Sequence, residues 1–220
     1  SSYIAVTAPT IRPVLELLRT DPLLFVLLAA ALVCAIGLHE YAHALAADLQ
    51  GDRMPRAFGR LTLNPAKHLD PLGTLMLFLV GFGWAKPVEF RPSALSSKRF
   101  GAAIVALAGP LMNLLLALVG AFAFALALRV GAPGSIAEFL EFFVGINVVL
   151  AVFNLIPLPP LDGSRLLTIF LPPSKQNIIF FLDRYGFLIL LAIIFLGPSS
   201  LLRPFINFVA RIVTGLTGLT

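Results

Sequence analysis

Apolar runs of membrane-crossing length leave this chain one kind of solvent to fold in. Residues 23–47 would make a helix of about 37 Å, enough to cross a hydrocarbon core of about 30 Å. Residues 102–128, 139–156 and 177–197 repeat the pattern. Of the 220 residues, 59% are hydrophobic and 12% charged, against about 45–50% and about 25% in soluble domains. No aqueous core absorbs that excess, and the mean hydropathy of +0.96 agrees. An all-α polytopic membrane protein is expected, with about four to six transmembrane helices.

The rest of the chain is read around those runs. Residues 1–20, with Arg12, Glu16 and Arg19 among apolar positions, suit a helix lying in the membrane interface. After the first run comes the polar QGDRMPRAFGRLTLNPAKHLD, in which GRLTLN alternates like a short strand. PLGTLMLFLVGFGWAKPVEF follows. Its apolar part falls short of a span and is rich in glycine, so a short β-hairpin or re-entrant segment is expected after the first long helix. The C-terminal LLRPFINFVARIVTGLTGLT reads as a short span or an amphipathic helix. Ala44-Leu45-Ala46 resembles a leader-cleavage site, but the apolar run before it is too long for a secretory signal. With no repeat or low-complexity linker, residues 1–220 are expected to form a single membrane-embedded domain, with no appended soluble domain.

A net charge of +5 could point to nucleic acid. Yet of the sixteen Lys and Arg, eight fall at Arg53, Arg56, Arg60, Lys67, Lys86, Arg91, Lys98 and Arg99, beside apolar runs. Lys- and Arg-rich loops stay cytoplasmic, so topology explains the charge and no nucleic-acid partner is expected. If the segment around residues 72–90 enters and leaves by one face, residues 48–101 form one cytoplasmic loop region. The run at 102–128 then goes out and that at 139–156 returns, bringing PLPPLDG to the same face as the end of the first helix. The expected location is the cell membrane, multi-pass. The single Cys34 cannot form an intramolecular disulfide and is read as a small buried hydrophobe.

The first run ends in His39-Glu40-x-x-His43. Titratable groups at membrane depth are costly and usually tied to function. Histidines four apart share one helix face and can chelate one ion, with Glu40 beside them to take a proton from a metal-activated water. The bland reading is a pair of histidines hydrogen-bonded inside a helix bundle. A catalytic zinc needs a third protein ligand and an open position. Asp48 and Asp52 follow too closely, Glu138 and Glu141 fall on the outer face, and His68 and Asp70 belong to a polar loop. Asp162 is left, after Pro157, Pro159 and Pro160, which hold the chain out of helix. Irregular backbone at that depth is tolerated where it lines a wet cavity. Asp162 could equally be a plain helix cap for LDGSRLL.

HEYAH, LNPAKHLDPLGT, AGPLMN and NLIPLPPLDG occur here in the order found in the site-2 protease family of intramembrane zinc metalloproteases, and the resemblance covers residues 37–167. It implies one zinc ion per chain held by His39, His43 and Asp162, with Glu40 as general base. It also implies that Asn154 steadies the oxyanion and that Asn113 has a supporting role, for which a helix-packing hydrogen bond beside Gly109 is the simpler reading. The implied substrates are transmembrane segments of membrane-tethered regulatory proteins, cut from the cytoplasmic side.

Such a site must also receive an unwound substrate, and an exposed edge near GRLTLN or WAKPVEF could take it as an added strand. Gating would rest on a first trimming of the substrate by another protease, or on a regulatory partner. His68 is read as a surface histidine, Trp84 as an interfacial anchor, and Arg165 as pairing with Asp162 or with headgroups. Two other functions stay open. One is a membrane zinc peptidase with glutamate as third ligand, acting in quality control. The other is a metal-binding transporter or inactive scaffold, against which Glu40 argues, because transport needs ligands but no base.

Overall fold

A computed structural model describes residues 18–80, 83–171, 175–196 and 202–218. Its helices are α1 (Pro22–Leu49), α2 (Met54–Ala57), α3 (Pro71–Val80), α4 (Lys98–Arg129), α5 (Gly134–Asn154), α6 (Gly163–Phe170), α7 (Gln176–Leu196) and α8 (Arg203–Gly215). Among the described residues four helices are long and apolar enough to cross a membrane: α1, α4, α5 and α7. The expected interfacial helix at residues 1–20 falls almost wholly outside the described residues.

Helix α1 starts where Asp21 accepts the Leu24 amide at 3.0 Å with Pro22 in the first turn, a favoured N-terminus. It packs on α4 and α5, which pack on each other. The pattern on α4 is that of a membrane helix. Ile104, Leu111, Leu115, Val119, Phe122 and Leu126 face outward, while Ala102, Val105, Ala106, Gly109, Asn113, Ala117 and Ala121 face the bundle. Small residues inside let backbones approach. At Gly120 an added Cβ would come within 2.9 Å of the Phe143 ring on α5. The α4–α5 turn passes through Gly131 at φ +65°, a conformation glycine adopts without strain.

Helix α8, about 20 Å long, is too short to span. It seats Ala210 and Val213 against Ala117, Ala121, Val144 and Val148 of α4 and α5, and exposes Phe205, Phe208 and Ile212. Helix α7 rests instead on the proline-rich loop between α5 and α6. Leu190 packs with Leu158 and Leu161, and a Cβ on Gly186 would lie 2.6 Å from the Pro159 carbonyl. Trp84, half exposed, meets Phe187 of α7 edge to face at 6.3 Å.

The expected β-hairpin or re-entrant segment is not found. No strand occurs among the described residues. Residues 50–80 and 83–97 run through α2, a 3-10 turn at Pro65–Lys67, α3, extended chain and a second 3-10 turn at Pro92–Ala94, with one isolated bridge between Leu69 and Ala85. The reason lies in how this segment satisfies its backbone. Buried Arg60 donates to the carbonyls of Lys67, Lys86 and Pro87. His68 bonds the Thr62 carbonyl, and Thr62 and Asn64 accept amides two residues on. Side chains thus take the place of a partner strand, and with the strand goes the expected edge for substrate at GRLTLN. Two smaller expectations also fail. His68 is fully buried, not a surface histidine, and Cys34 is exposed, because the buried face of α1 follows Ala31, Ala35, His39, Ala42 and His43.

Candidate metal centre

One face of α1 carries His39 and His43 one turn apart, both buried against α4. Each ring is pinned through Nδ1. That of His43 bonds the Val105 carbonyl at 2.7 Å, and that of His39 bonds Asn113 Oδ1 at 2.5 Å. Because both partners are acceptors, the ring protons sit on Nδ1 and both Nε2 atoms carry bare lone pairs.

Those lone pairs converge. The two Nε2 atoms are 3.0 Å apart, and Asp162 Oδ2 lies 3.1 Å from one and 3.2 Å from the other. Asp162 Oδ2 is buried and has no hydrogen-bond partner. Three lone-pair atoms at van der Waals distance repel unless a proton or a metal cation sits between them. Tetrahedral zinc with bonds of about 2.0–2.1 Å spaces its ligands about 3.3 Å apart, close to the three separations seen. The residues present therefore fit the ion, and among the described residues no other group of three or more His, Cys, Asp or Glu could hold one.

Asp162 occupies the position before α6, yet its side chain makes no cap hydrogen bond. A cap is worth about 1 kcal/mol, whereas a zinc site is worth roughly 10–16 kcal/mol in peptides at neutral pH. The carboxylate gives up the smaller role. The loop can deliver it because Gly163 has no side chain: a Cβ there would strike the carbonyls of Leu155 and Ile156.

Gly109, within AGPLMN, stands against the two histidines, a placement that run length and spacing do not signal. A Cβ on it would collide with His43 Nε2 and reach 2.6 Å from His39 Nε2. Only glycine leaves the metal position open. Asn147 on α5 carries no such signal either; its fully buried amide bonds Asn113.

The other expected residues separate clearly. Glu40 is buried, next in sequence to His39 and three residues before His43 on α1. Asn154 ends α5, and its Nδ2 donates to the Leu150 carbonyl at 3.0 Å, so the structure does not bring it onto the cluster. Asn113 combines the two readings offered for it, since it joins α1, α4 and α5 and holds His39. Glu138, Glu141, His68 and Asp70 stay out of the cluster. Asp70 caps α3 by accepting the Gly73 amide at 2.7 Å.

Asp48 and Asp52 are structural. Asp48 pairs with Arg53 at 2.9 Å and Arg56 at 2.7 Å. Asp52 accepts the amides of Arg91 and Met54 and the Arg91 guanidinium. Burial pushes the Asp52 carboxyl up, but those hydrogen bonds and the Arg91 charge outweigh it and hold it below the ordinary value.

Residues 27–130 and 130–195 match peptidase family M50. The chain belongs to that family. It is an intramembrane zinc metalloendopeptidase, as the family, the spanning helices and the His-His-Asp cluster together require. A Bacillus subtilis protein named as a zinc metalloprotease, YwhC, is 37% identical over 188 residues, covering 82% of this chain and 85% of its own. Proteins named as zinc metalloprotease Rip2 are similar too. That of Mycolicibacterium smegmatis is 31% identical over 194 residues, 86% of this chain and 72% of its own. That of Mycobacterium tuberculosis is 31% identical over 181 residues, 80% and 68%. No solved structure matches the chain significantly.

Proposed function

We propose that one zinc ion per chain is held by Nε2 of His39, Nε2 of His43 and Oδ2 of Asp162, with Glu40 as general base, and that the enzyme cuts transmembrane segments of membrane-tethered regulatory proteins from the cytoplasmic side. The observation that carries this reading is the convergence of three donor atoms within 3.0–3.2 Å of one another. Two imidazoles and a carboxylate with a fourth position open is the donor set of catalytic zinc, which supplies Lewis acidity toward a carbonyl oxygen and a water of lowered pKa.

The chain's own residues do the rest. Glu40, buried beside both histidines, accepts the proton of the attacking water and returns it to the leaving amine. Asn154, whose NH2 gives one proton to the Leu150 carbonyl, offers the other to the developing oxyanion. Gly109 keeps the face opposite α1 clear. The positive-inside rule supports the cytoplasmic assignment: the loop region that follows the histidine-bearing end of α1 carries Arg53, Arg56, Arg60, Lys67, Lys86 and Arg91.

The test is cleavage of a membrane-tethered reporter in detergent by wild type and Glu40→Gln, with metal analysis of both. Zinc bound by both and product formed by wild type alone is expected. Equal cleavage would remove Glu40 from the mechanism, and zinc retained by His43→Ala would remove the proposed ligand set.

A further inference from the structure

The two histidines are held in different ways, and the difference points to a residue outside the site. His43 is pinned by a backbone carbonyl. His39 is pinned by a side chain whose own orientation must be fixed, because a primary amide can present either its oxygen or its NH2. We propose that Asn147 is a positioning residue that sets the donor atom of His39 by fixing the Asn113 amide, a role that rests on reading His39 as a ligand.

The chain of hydrogen bonds ends on groups that cannot reverse. Asn147 Nδ2 is 2.8 Å from the Phe143 carbonyl, one turn back in α5. A carbonyl only accepts, so the NH2 of Asn147 faces it and the oxygen faces away. That oxygen receives Asn113 Nδ2 at 2.8 Å, and the same NH2 is 3.4 Å from the Ala35 carbonyl of α1. Asn113 Oδ1 is thereby left facing His39 Nδ1, whose proton it accepts. Nε2 is then free of hydrogen and able to ligate. Both asparagines are fully buried, so no water can stand in for a missing partner. Reversing either amide would set donor against donor or acceptor against acceptor. The packing of α4 against α5 thus reaches into the donor set without touching metal or substrate.

The experiment measures zinc affinity by chelator competition, and the ligand-field absorption of the cobalt-loaded protein, in detergent. The proteins are wild type, Asn147→Leu, Asn113→Leu and the double variant, with thermal melting of each metal-free protein as the folding control. Asn147→Leu is expected to weaken zinc by about 10–100-fold and to shift the cobalt bands. The double variant should be no weaker than Asn113→Leu alone, since one substitution already severs the path. Losses that multiply in the double variant, or an unchanged affinity and spectrum in Asn147→Leu, would overturn the proposal. Asn147→Ala, which introduces no clash, is read in the same way if the leucine variant does not fold. Independently, imidazole nitrogen NMR of metal-free wild type should show His39 protonated on Nδ1, and protonation on Nε2 would overturn it. A wild type that binds no zinc would sink the ligand reading instead, with the tautomer still readable.

Discussion

Two buried polar clusters occupy the same end of α1 and close in opposite ways. Around Asp48 and Asp52 donors meet acceptors: guanidinium groups from Arg53, Arg56 and Arg91, and amides from Met54 and Arg91. Deeper in the same helix, acceptors meet one another at His39, His43 and Asp162. The first cluster is complete as it stands and ties the loop to the helix. The second lacks a positive charge. Buried polar groups that satisfy one another hold a fold, and buried polar groups that cannot do so mark a place for something else.

The largest way to test that contrast is to empty the second cluster. His43→Ala should abolish zinc retention and cleavage together, and Gly109→Val should do the same without altering a ligand, because its side chain fills the metal position. Metal analysis and a reporter assay check both, and near-native melting of the metal-free proteins would show that the loss is local. Next in size, Asn154→Ala should lower kcat by about 10²–10³-fold while zinc stays bound. An unchanged kcat would leave the amide with its helix bond to Leu150 alone.

The first cluster should answer in stability instead. Asp52→Ala strands buried backbone amides and should cost about 1–3 kcal/mol, read by thermal or denaturant unfolding, with zinc affinity unchanged. Its pH dependence has a fixed sign. The folded pKa of Asp52 lies below the ordinary 3.8, so its contribution is fully present above that value and is lost as pH falls through the lower folded one. The stability difference between wild type and Asp52→Asn should therefore be flat near neutrality and shrink only in acid. The smallest effect belongs to Cys34→Ser, outward on α1 and outside both clusters, which should leave metal content and cleavage as they were.

The spanning helices were legible because run length is a one-dimensional property: residues 23–47, 102–128, 139–156 and 177–197 lie close to α1, α4, α5 and α7. The pairing of His39 with His43 was legible from helical spacing, whereas Asp162 remained by elimination, with a helix cap as its open alternative, until the fold brought it to them. What stayed hidden depends on partners far along the chain. GRLTLN has a strand's alternation, but nothing in it reveals that Arg60 would bond carbonyls on both sides of α3. His68 looked like a surface group beside Lys67, because the carbonyl that receives it is six residues back. Gly109 lies in AGPLMN, but nothing in that stretch shows that its missing side chain faces the histidines of α1, and Asn147 lies in none of the family motifs, its partner Asn113 being on another helix.

The histidines lie about 9–15 Å from the C-terminal end of α1, nearer that end than the middle of a helix about 42 Å long. On the proposed ligand set a substrate helix would be opened nearer one end than the other, with the shorter piece on the side of the polar loop that follows α1.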